Sequence, residues 1–181
     1  GLEKKARPEV KPLLPPIEIS EILKDHHPIR VLEPIFQRGS TTLLELCLIN
    51  QLVKEFNPAT LFEMGTLDGR TTLNLAANSS ETAKVYTLDL PKEKMNSTKF
   101  KLDEQEKWTV DKDRSGRKYL NTSESEKIVQ LYGDTASFDF GPFLNKMDFV
   151  FIDASHAFDY VLNDSLTALK LLRSGRGVIV W

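Results

Sequence analysis

Four acidic side chains lie at the ends of short apolar stretches in this sequence. Glu63, Asp89, Asp134 and Asp153 each close such a run or follow it within two residues. A carboxylate accepts two hydrogen bonds in a fixed plane, which suits it to hold hydroxyl and amino groups. If the apolar runs are neighbouring parallel strands, all four acids lie at one edge of the sheet. This pattern indicates a nucleotide-type ligand at that edge.

The stretch 60–72, which reads TLFEMGTLDGRTT, carries the clearest motif. Gly65 would let the backbone turn sharply and a ligand approach closely, and Gly69 would let a helix begin next to the strand. Glu63 would then lie beside the ligand. The alternative is a plain strand-to-helix turn with a glycine cap. The dinucleotide motif Gly-x-Gly-x-x-Gly is not met, because positions 67 and 68 are Leu and Asp.

Two further acids match the parts of a nucleoside. Asp89 comes 26 residues after Glu63, a distance typical of the acid that binds ribose hydroxyls at the tip of a second strand. A solvated strand-end acid is the alternative. Asp134 follows the third strand and would accept a hydrogen bond from an adenine amino group. The alternative for Asp134 is a turn acid that stabilises its own loop.

Alternating strands and helices must position these acids. Apolar residues at three- and four-residue spacing predict a helix over 42–56, with a capping box of Thr42 and Glu45 and a stop at Asn57-Pro58. The strands are predicted at 60–64, 84–90, 128–132, 147–152 and 178–181, and further helices at 70–78 and 158–172. The sequence therefore predicts an α/β fold, a doubly wound parallel sheet with helices on both faces.

Two segments stand apart from this alternation. Residues 1–38 are rich in proline and are predicted to form an extended arm with one short helix, laid over the domain of residues 39–181. Residues 92–127, the insertion, are half charged and lack an apolar stripe. We expect a long, partly helical excursion that acts as a mobile lid over the site. Within it, 115–119 either places cationic groups near an anionic substrate or is a solvated loop.

Composition limits the classes of function. A net charge of −2 and a pI of 6.0 argue against nucleic acid or an anionic membrane as partner. No apolar run approaches the length of a membrane span. The single cysteine, Cys47, fits a packed thiol in a reducing compartment, so a cytoplasmic protein is predicted. The pair His26-His27 is interpreted as solvated loop residues rather than metal ligands.

Several motifs, taken in order, resemble the class I S-adenosylmethionine-dependent methyltransferases. They are FEMGTLDGRTT at 62–72, VYTLDLP at 85–91, GDT at 133–135, FIDASH at 151–156 and LLRSGRGVIVW at 171–181. The resemblance covers residues 39–181 and is closest to the generic methyltransferase-domain group. It implies a Rossmann-like fold and S-adenosylmethionine as the cofactor.

The resemblance also implies roles at matching positions. Glu63 and Gly65 would lie by the methionine moiety, Asp89 at the ribose and Asp134 near the adenine. The remaining members of the implied cofactor set are Thr66, Gly69, Leu90, Gly133, Thr135 and Asp153. Asp153 would face the transferring methyl group, and His156 would be the general base for a hydroxyl acceptor; a helix cap is the alternative for His156.

A metal is a further implication of the resemblance. Some related O-methyltransferases hold Mg²⁺ with an acid at the position of Asp153 and further acids just after the fifth strand, and the ion polarises the acceptor oxygen. Asp153 is therefore a candidate metal ligand. Residues beyond Trp181, the last residue of this sequence, would complete such a site.

The sequence departs from the family pattern in three places. Leu67 stands where a glycine is usual, and Ser174 and Arg176 replace the usual Pro and Gly before strand five. The family sheet has seven strands, whereas this sequence supplies five, so strands six and seven are expected to be missing. An exposed fifth-strand region would favour a homodimer.

The resemblance predicts a methyltransferase that acts on the oxygen of a small-molecule or sugar-like acceptor. A module that binds S-adenosylmethionine without catalysis is the first alternative. A nicotinamide-dependent oxidoreductase is the second, and it is disfavoured by the missing dinucleotide motif. No aromatic cage, basic stripe or zinc motif points to a protein, nucleic acid or lipid acceptor.

Overall fold

Five parallel strands form one sheet in the structure, a computed structural model that describes residues 17–181. They are β1 (Thr60–Met64), β2 (Lys84–Asp89), β3 (Ile128–Tyr132), β4 (Phe149–Ile152) and β5 (Val178–Val180). Their order is β3-β2-β1-β4-β5, and every neighbouring pair is parallel. The chain winds outward from β1 and then returns to place β4 beside it. The predicted doubly wound sheet is confirmed, with its switch point between β1 and β4.

The strands are mostly apolar because both faces of the sheet are covered. Successive residues point to opposite faces, so Leu61 packs in one hydrophobic cluster and Phe62 in the other. Helices α2 (Leu43–Phe56) and α3 (Arg70–Asn78) cover the first face, and helix α5 (Phe158–Leu171) covers the second. This is the predicted arrangement of helices.

The last strand is shorter than the sequence predicted. The prediction of a strand at 178–181 included Trp181, but β5 ends at Val180. Trp181 is 64% exposed, and its indole N–H donates to the hydroxyl of Ser165 on α5 at 2.8 Å. The side chain of Trp181 therefore lies against the helix that covers the second face.

Local signals set the ends of α2 as predicted. The amide of Glu45 donates to the Thr42 hydroxyl at 3.3 Å, and the amide of Thr42 donates to the Glu45 carboxylate at 2.7 Å. This reciprocal pair satisfies two of the amides that a helix start leaves without partners. Asn57 ends the helix in a left-handed conformation, with φ of 42°, and Pro58 follows.

The insertion is irregular, as its lack of an apolar stripe predicts. It contains the one-turn helix α4 (Lys107–Val110) and short 3₁₀ segments at Lys92–Lys94 and Ser123–Lys127. Further short pieces are α1 (Ile19–Ile22) and the 3₁₀ segments Gly141–Phe143 and Arg173–Gly175. Among the helices of residues 17–181, none has the length and hydropathy of a membrane span.

Two asparagines of α3 hold the chain that precedes the domain. Asn78 accepts from the amide of Arg30 and donates to its carbonyl, both at 2.8 Å. Asn74, one helical turn earlier, makes the same pair of bonds with Leu32 at 3.0 and 2.9 Å. The two side-chain amides thus pair with alternate residues of an extended segment, as a neighbouring strand would. The predicted arm also includes residues 1–16, which lie outside the described residues.

Arg70 fixes the next part of the same segment. The residue is 1% exposed, and its guanidinium donates to the carbonyls of Glu33 at 2.6 Å, Pro34 at 3.3 Å and Thr41 at 2.6 Å. Each carbonyl is bound by a different nitrogen of the planar group. The three donors of an ammonium group all leave one atom, so it cannot reach these three separated positions in the same geometry.

We therefore expect Arg70→Lys to lower the free energy of unfolding by about 2–4 kcal/mol, because buried carbonyls lose their donors. Urea unfolding of the variant and the wild type measures the difference. Arg176→Lys, at an exposed arginine, is the matched control and should change stability by less than about 0.5 kcal/mol. Equal unfolding midpoints for the two variants would show that the guanidinium bonds do not stabilise the fold.

Candidate active site

A cavity of about 380 Å³ opens at the carboxyl ends of the strands. It lies at the edge where the acids were predicted to gather. The predicted site residues that line it are Gly65, Asp89, Leu90, Gly133, Asp134, Thr135, Asp153 and His156. The other three, Glu63, Thr66 and Gly69, do not line the cavity. The structure therefore brings most of the predicted set into one cavity.

Glu63 lies beneath the glycine turn and is fully buried. The hydroxyls of Thr72 and Thr87 both donate to its Oε2, the latter at 2.6 Å. Burial raises the pKa of this carboxyl to about 8, although the two hydroxyl bonds oppose the shift. The placement of Glu63 beside the ligand, expected from the sequence, is not what the structure shows. Its side chain instead ties β1 to α3 and β2.

Thr66 and Gly69 also serve the turn rather than the cavity wall. The Thr66 hydroxyl lies 2.6 Å from that of Thr87 and accepts from the Gln130 amide at 3.1 Å. Gly69 has a φ of 86°, and a Cβ there would lie 2.7 Å from the ring of Tyr119. The glycine is needed because the insertion packs against the turn at this point.

Gly65 allows β1 and β4 to meet at the cavity. Its φ is 99°, and a Cβ there would lie 2.3 Å from the carbonyl oxygen of Asp153. Leu67, the departure from the family glycine, also adopts a left-handed conformation, with φ of 49°. The sharp turn predicted at Gly65 is present, and its backbone lines the cavity.

Two residues of the insertion contact one carboxylate oxygen of Asp89. Lys112 Nζ lies 2.9 Å from its Oδ2, and the Ser115 hydroxyl donates to the same atom at 2.5 Å. Within the described part of the chain, no side chain or amide contacts its Oδ1 at hydrogen-bond distance. One oxygen of the carboxylate is therefore left to accept a bond from a ligand.

Asp134 has its hydrogen-bonding capacity used within the protein. Its Oδ1 accepts from the amide of Ala136 at 3.0 Å and the Tyr160 hydroxyl at 2.9 Å, and its Oδ2 accepts from the amide of Lys99 at 2.7 Å. This geometry supports the turn-acid interpretation over a side-chain contact with adenine. The flanking residues Gly133 and Thr135 still line the cavity.

Asp153 and His156 face each other across the end of β4. His156 Nε2 lies 3.7 Å from Asp153 Oδ1, and the His156 side chain is 75% exposed. Burial raises the pKa of Asp153 to about 6, while the imidazole of His156 lowers it. On its other side, His156 Nδ1 lies 3.0 Å from Glu106 Oε1. The imidazole thus stands between two carboxylates, one from the sheet and one from the insertion.

The described residues do not assemble a Mg²⁺ site at Asp153. Within residues 17–181, the one group of three potential ligands with atoms close enough to share an ion is Asp25, His27 and Glu55, which is not in the cavity wall. His27 Nε2 lies 3.2 Å from Glu55 there. His27 is therefore partly buried and paired, unlike the solvated histidine expected, whereas His26 is exposed.

Trp181 marks the place after β5 where the remaining Mg²⁺ ligands were expected. Trp181 does not line the cavity, and its indole is bonded to Ser165 on α5. Within residues 17–181, no group of three potential ligands includes Asp153, so the expected metal site finds no support in the described residues. The sequence does not include residues beyond Trp181, so their part in such a site stays a prediction.

The insertion supplies cavity residues that were not singled out in the sequence. Glu106, Trp108 and Val110 line the cavity together with Arg38, whose guanidinium lies 4.7 Å from the centre of the Trp108 ring. The one sequence signal for this role was Trp108, a large apolar side chain within a highly charged segment. Lys118, expected either near a substrate or in solvent, is instead paired with Glu33 at 2.6 Å.

Comparison with known proteins shows similarity in sequence to one family and in fold to solved structures. The sequence profile of a family described as "Methyltransferase domain" matches residues 62–181. No curated protein matches the chain.

Two solved structures share the fold. The O-methyltransferase TomG from Streptomyces achromogenes, involved in tomaymycin synthesis and in complex with SAM, is 17% identical with a TM-score of 0.52, over 74% of this chain and 53% of TomG. The SAH-bound methyltransferase PaMTH1 from Podospora anserina is 17% identical with a TM-score of 0.51, over 78% of this chain and 53% of PaMTH1. The chain spans about half the length of these structures.

The buried acid predicts a pH-dependent stability. The pKa of Glu63 is about 8 in the folded protein against 4.5 ordinarily, so the unfolded state ionises first as the pH rises. The stability that Glu63 contributes is complete below pH 4.5 and is lost towards pH 8, by up to about 1.4 kcal/mol per pH unit. We expect Glu63→Gln to gain stability over the wild type progressively from pH 5 to 8, measured by urea unfolding.

Glu81→Gln, at an exposed glutamate, controls for the loss of a negative charge. Its free energy of unfolding should change with pH as that of the wild type does. A constant offset between Glu63→Gln and the wild type across this range would contradict the raised pKa.

Proposed function

This chain belongs to the methyltransferase-domain family, and on that premise we propose that it transfers a methyl group from S-adenosylmethionine to the oxygen of a small-molecule or sugar-like acceptor. The observation that carries the proposal is the cavity at the switch point, with Gly65, Asp89 and Asp153 in its wall. Similarity to an O-methyltransferase fold supports oxygen as the acceptor atom.

The residues present fit the cofactor. The free Oδ1 of Asp89 would accept from a ribose hydroxyl, and the backbone of Gly133–Thr135 would border the adenine. Gly65 leaves its backbone open to the methionine moiety, and Glu63, Thr66 and Gly69 act indirectly by holding this turn. When bound, S-adenosylmethionine supplies a methyl carbon that the acceptor oxygen attacks in line as the carbon–sulfur bond breaks, leaving S-adenosylhomocysteine.

His156 serves as the general base in this proposal. It lines the cavity and is exposed enough for an acceptor hydroxyl to reach it. Its Nε2 would take the hydroxyl proton, and the carboxylate of Asp153 lies 3.7 Å from this nitrogen. Trp108, Leu102 and Val110 add apolar wall, which suits an acceptor with an apolar body beside its hydroxyl.

The cofactor assignment is tested by calorimetry with S-adenosylhomocysteine. We expect the wild type to bind and Asp89→Asn to bind about tenfold to a hundredfold more weakly, because a charge-assisted bond to the ribose is lost. Asp113→Asn, at an exposed acid of the insertion, is the matched control and should bind like the wild type. A wild type that is folded by circular dichroism and does not bind would overturn the cofactor assignment.

The base is tested by turnover. With S-adenosylmethionine labelled in the methyl group and a panel of hydroxylated small molecules, we expect His156→Gln to lower kcat about a hundredfold or more. Its affinity for S-adenosylhomocysteine should stay unchanged, because the imidazole contacts the acceptor rather than the cofactor. Cofactor binding by the wild type without turnover of any acceptor would favour a binding module that lacks catalysis.

A further inference from the structure

Glu106 of the insertion makes three contacts with the loop that follows β4. Its Oε2 accepts from the Ser155 hydroxyl at 2.8 Å. Its Oε1 accepts from the backbone amide of His156 at 3.0 Å and lies 3.0 Å from the imidazole Nδ1 of the same residue. The Glu106 side chain is 22% exposed. The bonds from the Ser155 hydroxyl and the His156 amide hold the carboxylate in place. The third contact is with the imidazole ring.

The two carboxylates beside His156 stand at different distances. The Glu106 contact to Nδ1, at 3.0 Å, is a hydrogen bond, whereas Asp153 is 3.7 Å from Nε2, beyond hydrogen-bond range. An ionised carboxylate only accepts hydrogen bonds, so the nitrogen facing Glu106 must carry the proton. In the neutral ring this leaves the lone pair on Nε2.

We propose that Glu106 is a positioning residue that holds neutral His156 in its Nδ1–H tautomer and aims Nε2 into the cavity. The inference rests on the proposed function, since it names how the general base is set. The acceptor hydroxyl proton would pass to Nε2 while the hydroxyl oxygen bonds to the methyl carbon and the carbon–sulfur bond breaks. Nδ1 would keep its own proton throughout, hydrogen-bonded to Glu106. The insertion thereby sets the tautomer of the general base and also lines the cavity.

The tautomer can be measured without an acceptor. Long-range ¹H–¹⁵N NMR at about pH 9, where imidazoles are neutral, separates the two nitrogens of each ring. The chain has 3 histidines, so His156→Gln assigns the signal. We expect the Nδ1–H form in the wild type and a majority of the Nε2–H form in Glu106→Ala. Glu106→Gln keeps a carbonyl acceptor and should restore the Nδ1–H form.

Glu104→Ala is the matched control, because this exposed acid of the same segment pairs with Lys107 and should leave the tautomer unchanged. An Nε2–H ring in the wild type, or an unchanged ring in folded Glu106→Ala, would overturn the assignment. The wild-type spectrum decides even if the alanine variant does not fold. Calorimetry with S-adenosylhomocysteine separates the two proposals, since absence of binding counts against the proposed function and leaves the tautomer result standing.

Discussion

The carboxyl edge of this sheet depends on one buried acid. Glu63 has no exposure to solvent, and the hydroxyls of Thr72 and Thr87 are its partners. A buried carboxyl group without donors would cost several kcal/mol. Both donors here go to Oε2, while Oε1 has no hydrogen-bond partner within residues 17–181. The requirement fixes α3 and β2 against the tip of β1. The bonds continue through Thr66 to Gln130 on β3, so three neighbouring strands and a helix are held in register below the cavity.

The acids at this edge also determine how the insertion packs against the sheet. Lys112 and Ser115 bind the carboxylate of Asp89, and the amide of Lys99 donates to Asp134. Glu106 contacts the imidazole of His156. Backbone bonds from Gly116 and Lys118 to residues 67 and 68 add to these contacts. The insertion is irregular because its partners are polar groups at scattered strand tips rather than a continuous apolar face. Its high charge therefore serves contacts with the sheet as well as solvation.

Most of the fold could be predicted because its signals are local. The spacing of apolar residues, the Thr42–Glu45 box and the glycine turn each act within a few residues, and all are found as expected. The site was predicted less completely, because its polar partners come from distant segments. Glu106 cannot be told from Glu104 by its neighbours in sequence, yet one meets His156 and the other pairs with an exposed lysine. Only the path of the insertion decides between them.

The acids at the strand tips also cannot be told apart from local sequence. They differ in how many hydrogen bonds their oxygens can still accept. Glu63 is buried and Asp134 accepts bonds on both oxygens from its own protein. Asp89 retains one oxygen, and Asp153 has His156 at 3.7 Å as its nearest described ionic partner. A ligand in the cavity thus meets two acids with free capacity, one on each side of the switch point. Donors already bound within the protein limit what each acid can still accept. In the proposed function, the hydroxyls of the cofactor would therefore point to β2 and its reacting end to β4.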